Sequence, residues 1–422
     1  MSITDHSALR RFVRSRASEE TREADRFVPD APRLGDTSIP SQDRDGFRVE
    51  WRLLADLGDI DEAWRDLARR ALEPNVFYEP EFALAAASVF GAGVGVLLVW
   101  SRHEPQRLVG FMPLRVARRR YGLFSPVLVG WTHPYAPFGV PLVDRDEAEA
   151  AVAAAFDFIE RSPDLPRLLL WPLMSSNGRW AAVLMAALHR GGGRIAFFGT
   201  HRRAILAPSH DRRGYLNRAL RARKRKELRR QARRLSDQGA LIVSHAVSPQ
   251  AIASALEAFM VLEAQGWKGR VGGAAAMNVD IGAFMRSAVG NLAARDGARI
   301  VQLMLDDRLI ASGIVLRSGD HAWFWKIAYD ETVARASPGV QLTLELTQAL
   351  LDDQDVMRTD SCATADHPMI DKLWRERLDL ADHLVQIGPG RNLRFTLACA
   401  LETARRAAIS VVKRVYSYAK RR

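Results

Sequence analysis

The stretch WFWKIAYDETVARASPGVQLTLEL, residues 323–346, joins a lysine in the middle of an aromatic, strand-like run to a bare helix start. Alternation over 321–328 puts Trp323, Trp325 and Ile327 on one face and Phe324, Lys326 and Ala328 on the other. A lysine charge buried alone is costly, so Lys326 calls for a partner such as Asp360 or an anionic ligand. Further on, Pro338 suits a first helical turn, where a missing N–H costs nothing. Ser337 suits the cap, and Gly339 lets a ligand approach the backbone. Unpaired amides at the positive end of a helix dipole form an anion site. Arg335 and Ala336 lead into this turn and Val340 and Gln341 continue it, with no acid before Glu345. Residues 335–341 are therefore candidate contacts for a phosphate-bearing ligand; a plain, well-formed helix start is the competing reading.

The matching helix of the first half begins through VDRDEAEAA. There Asp144, Asp146, Glu147 and Glu149 would satisfy the positive end and repel a phosphate. A pyrophosphate ligand therefore belongs to the second half.

Composition narrows the classes. At 422 residues and 48% hydrophobic content the chain can bury two medium cores. Its longest apolar run, 91–100, is about half of what a membrane span needs. Residues 1–45 lack the apolar region of a secretory signal. Two cysteines, Cys362 and Cys399, make no CxxC, and ten histidines show no metal-ligand spacing. These features predict a cytoplasmic protein without a metal.

The elements that position these residues follow a pattern. Residues 1–45 read as a disordered tail. From 46 to 210 the periodicities give a strand at 47, helices at 59–72 and 81–90, and strands at 95–101, 108–116 and 123–131. A helix at 146–160, a strand at RLLLWPL, a helix at 178–190 and the strands RIAFFG and RAILAP complete that half. From 240 to 390 the order repeats: a strand at 240–247, helices at 249–264 and 279–295, then strands ending in HAWFWKIAYD. The Ser-Pro-Gly helix at 338–352, a strand VMRTDS, a helix at 368–377 and a strand DHLVQIG follow. Asp306-Asp307 and Ser318-Gly319 mark turns. The expected fold class is α/β with a mixed sheet, in two tandem domains joined by a basic helix.

That helix, within a linker at 211–239, carries nearly all of the net charge of +12: twelve Lys or Arg lie between Arg212 and Arg234 against one acid, Glu227. A second basic amphipathic helix lies in 391–422. A charge run of this kind either meets a polyanion (nucleic acid, anionic membrane, cofactor phosphate or glycan) or forms a solvated face. With Tyr215 as its one aromatic, the linker lacks the stacking platforms of single-strand binders. Together the two helices suit peripheral contact with the inner membrane.

The segments RARKRKELRRQARRL, FMVLEAQGWKG, FWKIAYDETVARASPG and TDSCATADHPMIDKLW, in this order and spacing, resemble the double-GNAT, CelD-like acyltransferases of bacterial polysaccharide operons, distant relatives of the FemABX aminoacyltransferases. The resemblance covers roughly 46–390 and implies that the first half is degenerate and the second binds an acyl-CoA pyrophosphate after its fourth strand. GNAT enzymes show Gln/Arg-x-x-Gly-x-Gly/Ala in that loop, and RASPGVQ keeps only Gly339 of it. The donor implied is acetyl-CoA or another acyl-CoA, or an aminoacyl-tRNA with the basic helix as its RNA contact. The acceptor implied is a sugar or envelope precursor; a non-catalytic scaffold of a polysaccharide synthase is the further alternative. In this frame Asp360 accepts the proton of the attacking amine, or is a turn residue satisfying loop amides. Tyr329 protonates the leaving thiolate. Glu263, Trp267 and Lys268 flank the acceptor cleft, where Trp267 stacks on a sugar or lids the core. His367 and Lys372 stand near the acceptor, and Trp131, His133 and Tyr135 shape it from the first half. Cys362 has no activating partner and reads as a core residue.

Overall fold

The computed structural model describes residues 39–419 apart from 45, 122–124, 209–211 and 391–392. Most of the segment read as a disordered tail thus lies outside the described residues. Its end, Ile39–Arg44, is a strand paired antiparallel with Phe47–Leu53.

Two compact units form, and neither is a simple half of the chain. One gathers Tyr78–Ala92 and Arg202–Leu378. The other takes the described parts of Pro32–Phe77, Gly93–His201 and Asp379–Arg422.

In the first unit Leu241–Ala246, Ala298–Leu305, Arg308–Ser318 and His321–Tyr329 run antiparallel in that spatial order. Arg358–Asp360 then adds parallel to His321–Tyr329. The end of Arg194–Leu206 closes the sheet antiparallel, with Thr359 opposite Leu206 and Asp360 opposite Ile205. On one face Val301, Leu303, Leu305 and Phe324 pack with Leu342, Leu346 and Leu350 of helix Pro338–Asp352. Leu228 and Leu235 of the basic helix and Trp374 join this core. The opposite face carries helices Pro249–Gln265, Val279–Ala293 and Pro80–Phe90, where Trp325 meets Phe82 and Phe284 edge-on.

The second unit repeats the order. Phe47–Leu53, Val94–Ser101, Leu108–Ala117 and Val127–Gly130 are antiparallel neighbours, Leu168–Ser175 adds in parallel, and Glu376–Gln386 closes antiparallel. Each unit's closing strand therefore comes from the other half of the sequence. The same bend recurs too: Leu173 in one unit and Cys362 in the other leave the parallel strand with positive φ, 54° and 51°.

Some elements differ from the periodicity reading. The basic helix is broken into Tyr215–Ala219 and Ala222–Ser236, with Leu220 extended. No Gly or Pro signals the break. Side-chain donors make it tolerable, since Arg225 takes the carbonyls of Asn217 and Leu220 and Arg375 takes that of Ala219. RIAFFG and RAILAP form one strand through Gly199, whose φ is 58°. The helix read at 368–377 shrinks to Ile370–Leu373.

Candidate functional site

The lysine strand is not regular. Ile314 pairs with Lys326, but Val315 pairs with Phe324, so Trp325 is an extra residue on this strand. Such a bulge reverses the side-chain alternation beyond it. Ile327 consequently joins Phe324 in the core against helix Pro338–Asp352, and the expected grouping of Ile327 with the tryptophans is corrected. Lys326 turns to the side of Trp325, with Nζ 5.5 Å from the Trp325 ring centroid.

The parallel neighbour ends where the bulge begins. Trp323 lies opposite Asp360, the last paired residue of Arg358–Asp360, and the two backbones part beyond it. Lys326 follows on one side of this opening and Cys362 on the other. Desolvation, and then the nearby charge of Lys268, bring the Lys326 ammonium down to about 8, against the opposing pull of Glu263 and Cys362. Burial, and then Asp360, push the Cys362 thiol well up, which favours its uncharged form.

Asp360 has other work. Its Oδ2 accepts from Arg203 Nη1 at 3.0 Å, and its Oδ1 accepts the Cys362 amide at 2.8 Å. Both oxygens are engaged in a buried setting, which fixes the bend at Cys362. The charged groups that shift Lys326 are those of a Glu263–Lys268 neighbourhood.

That neighbourhood is the corner between helices Pro249–Gln265 and Trp267–Arg270, turned at Gly266. Glu263, buried at the end of the first helix, accepts Lys268 Nζ at 2.6 Å and the Ala275 amide at 3.0 Å. The Trp267 ring is exposed. Its amide donates to Glu331 Oε1 at 2.8 Å, and Arg270 donates to Glu331 Oε2. Arg270, with the Trp267 amide second, holds the Glu331 carboxyl below its usual range. Glu331 begins the 3-10 segment Glu331–Ala336, so the corner and the loop after the lysine strand are tied together.

The loop meets helix Pro338–Asp352 through Ser337 in the left-handed region, φ 53° and ψ 54°, without a side-chain cap. Ser337 is the cap residue, as expected, but its side chain makes no cap bond: a 3-10 segment ending at Ala336 leaves one residue to change direction before Pro338. The Ser337 carbonyl accepts Val340 N at 2.9 Å and Gln341 N at 3.1 Å. Among the described residues this leaves the Gly339 N–H as the first-turn amide without an internal acceptor, a narrower cradle than a run of open amides. Gly339 is buried against Tyr329, and a Cβ there would stand 3.2 Å from Tyr329 Cδ1. No acid occupies the first turn. Arg335 is exposed at the rim, and Gln341 Nε2 donates to the Leu228 carbonyl of the basic helix at 2.9 Å.

Other expected positions lie elsewhere. His367 Nδ1 accepts the amides of Met369 and Ile370 at 3.4 Å, a helix-start role, and Lys372 is exposed. In the other unit Trp131 packs beside His133, with ring centroids 5.1 Å apart, and Asp144 is buried in ion pairs with Arg70 and Arg107. Arg203 was missed because it lies in the first half of the sequence, and only the exchanged closing strand brings it to Asp360. Among the described residues no group of three His, Cys, Asp or Glu is arranged to hold a metal.

Residues 222–367 match the family model described as an acetyltransferase (GNAT) domain. They run from the basic helix to the loop after Asp360 and include Lys326, Glu263, Lys268 and Asp360, while Arg203 lies outside them. No curated protein sequence matches the chain. Among solved structures it is similar to FemX, at 10% identity over 78% of this chain and 96% of that one, with a TM-score of 0.52. It is also similar to the L-PGS of Bacillus licheniformis, at 13% identity over 82% and 96%, with a TM-score of 0.45. A tandem GNAT protein from the clavulanic acid biosynthesis pathway gives 16% identity over 81% and 100%, with a TM-score of 0.37. The FemX likeness concerns the fold alone, and the GNAT match concerns residues 222–367.

Proposed function

We propose that this chain transfers an acyl group, acetyl in the simplest case, from acyl-CoA to an amine or hydroxyl of a sugar, polysaccharide or cell-envelope precursor in the cytoplasm. The observation that carries the reading is the bulge at Trp325, which sets Lys326 on the side of Trp325 just past the Trp323–Asp360 pair, where the two strands stop pairing. A thioester carbonyl lying there has Lys326 beside it and the Glu263–Lys268 corner above it.

The chemistry uses both forms of Lys326. As the acceptor nitrogen attacks the carbonyl, neutral Lys326 takes the proton that the nucleophile gives up. The resulting ammonium stands beside the tetrahedral oxyanion, where a desolvated charge acts strongly. Collapse breaks the C–S bond, and the thiolate is protonated by Tyr329 or by water. Asp360 is a positioning residue that holds the bend at Cys362. Arg335 and the Gly339 amide receive the pyrophosphate, with cations of the adjoining basic helix adding to the field. The exposed Trp267 ring offers the apolar surface on which a sugar face stacks.

A second reading, an aminoacyl-tRNA donor, draws on the basic helix. Arg223, Lys226, Arg229, Arg230, Arg233 and Arg234 share the side away from Leu228 and Leu235, and among the described residues none of them enters an ion pair. The deciding experiment is isothermal titration with acetyl-CoA, longer acyl-CoAs and tRNA. Saturable acyl-CoA binding that is lost in Gly339→Glu supports the first reading. Binding of tRNA alone, falling steeply with salt and lost when Arg223 and Arg229 become Ala, replaces it with the second. Binding of neither removes both.

A further inference from the structure

Helix Leu393–Ala419 belongs to the second unit and takes no part in the site around Lys326. Phe395 and Ala398 on its inner face pack with Val127, Leu170 and Leu384. Its acid, Glu402, is fully buried and bonded to Arg120 and Arg406, with Arg405 at 3.6 Å. The opposite face is different. At 100° per residue Leu393, Leu397, Ala400, Ala404, Ala408 and Val411 fall on one stripe. Leu393, Leu397 and Val411 are 77%, 52% and 56% exposed, and the alanines between them are exposed as well. Over this length, roughly 27 Å by helix rise, the stripe carries no charge.

We infer that this outer face seats on an anionic lipid surface. Charge selects the occupant. From 393 to the end of the chain there are eight Lys or Arg (Arg394, Arg405, Arg406, Lys413, Arg414 and the final Lys420-Arg421-Arg422) and one acid, Glu402. Glu402 is already spent inside the unit on Arg405 and Arg406, which leaves six cations and no free acid. A second copy of the chain laid on this stripe, parallel or antiparallel, would bring cation-rich helices together with no free carboxylate between them. Lipid phosphates supply that missing charge, and acyl chains take up the leucine and valine side chains. The basic helix Ala222–Ser236 is a poorer anchor, because its leucines are consumed by packing and its exposed side offers charge alone. No described helix is long and apolar enough to cross a membrane, so the contact is one of lying on the surface.

The test is co-sedimentation of the full chain with vesicles of phosphatidylcholine and with vesicles of phosphatidylcholine mixed with phosphatidylglycerol. The wild type binds the mixed vesicles and stays in solution with the neutral ones. The triple variant Leu393→Glu, Leu397→Glu, Val411→Glu, changed only at exposed positions, loses binding by about tenfold or more while its melting temperature is kept. Failure of the wild type to bind mixed vesicles overturns the inference. So does undiminished binding by the folded triple variant, which would leave a purely electrostatic contact made elsewhere. If that variant is unfolded, Leu397→Gln alone is compared, and equal binding by it and the wild type counts against the inference. Concentration-dependent self-association that the variant abolishes, without vesicle binding, assigns the stripe to a second copy instead.

Discussion

Arg203 and Asp360 form an ion pair at 3.0 Å with both side chains only 4% exposed, one from the closing strand and one from the end of the short parallel strand. Asp360 also accepts the Cys362 amide. This makes Asp360 part of the scaffold that opens the gap beyond Trp323. Removing one partner of a buried pair leaves the other charge stranded, at about 3–5 kcal/mol. Asp360→Asn and Arg203→Ala should therefore both lower the unfolding free energy by that order, read from denaturant titration, and both should lose transfer activity. If Asp360→Asn keeps wild-type stability while activity falls, Asp360 is the proton acceptor and not a support.

Lys326 behaves in the opposite way. Burial brings its folded-state value down to about 8, below the ordinary 10.5. Below pH 8 both folded and unfolded chains carry the proton, and the folded state bears the full penalty of a desolvated charge. Between about 8 and 10.5 the unfolded chain binds more protons, so stability rises with pH; above that window the penalty is gone. Lys326→Met should then gain about 2 kcal/mol at pH 7, a figure discounted for the partial exposure of the side chain, and gain nothing above the window. Transfer should be lost at every pH. In the wild type the rate should climb as Lys326 deprotonates near pH 8. A flat pH–rate profile with slow chemistry, or an active Lys326→Met, counts against Lys326 as the proton acceptor.

How far these relationships could be read from the chain differs residue by residue. The order of elements along each half of the chain, the acid-free start of helix Pro338–Asp352 and the corner at Gly266 follow from periodicity and turn chemistry, which are local. The grouping of Lys326 with Trp325 does not. A bulge is a mismatch between two strands, and only the partner Arg308–Ser318 reveals it. Arg203 is further out of reach, since the exchange of closing strands joins residues 157 positions apart in a contact that no local rule contains. The left-handed turn at Ser337 is hidden for a third reason. Serine is an ordinary cap residue, and the conformation is imposed by the 3-10 segment before it.

Ser337 gives a stability test of that constraint. An L-residue in the left-handed region costs about 1–2 kcal/mol relative to glycine, and the Ser337 side chain makes no cap bond in return. Ser337→Gly should raise stability by about 1 kcal/mol in denaturant titration, after the extra chain entropy of glycine is subtracted. Ser337→Val should lower it, because a β-branched side chain tolerates this region least. Equal stabilities across the three proteins would mean that the turn is not held in this conformation in solution.

Glu402 tests how the C-terminal helix is held. Burial pushes its carboxyl up, but Arg120 and Arg406 together outweigh this and keep it below the usual 4.5. A depressed carboxylate contributes stability that is present above its unfolded value and is lost as pH falls through the folded one. Docking of helix Leu393–Ala419 should therefore be intact at neutral pH and weaken only in acid below the ordinary glutamate range. Hydrogen exchange of the amides around 393–411 reads this directly: protection should drop on acidification before the global transition. Glu402→Gln should reproduce the loss at pH 7, since it strands Arg120 and Arg406 beside a neutral group, at about 3 kcal/mol. Because the stripe on the outer face depends on the inner face being seated, the same variant should bind anionic vesicles with altered strength although no lipid-facing residue has changed. Unchanged protection in Glu402→Gln would show that Phe395 and Ala398 hold the helix without the ion cluster.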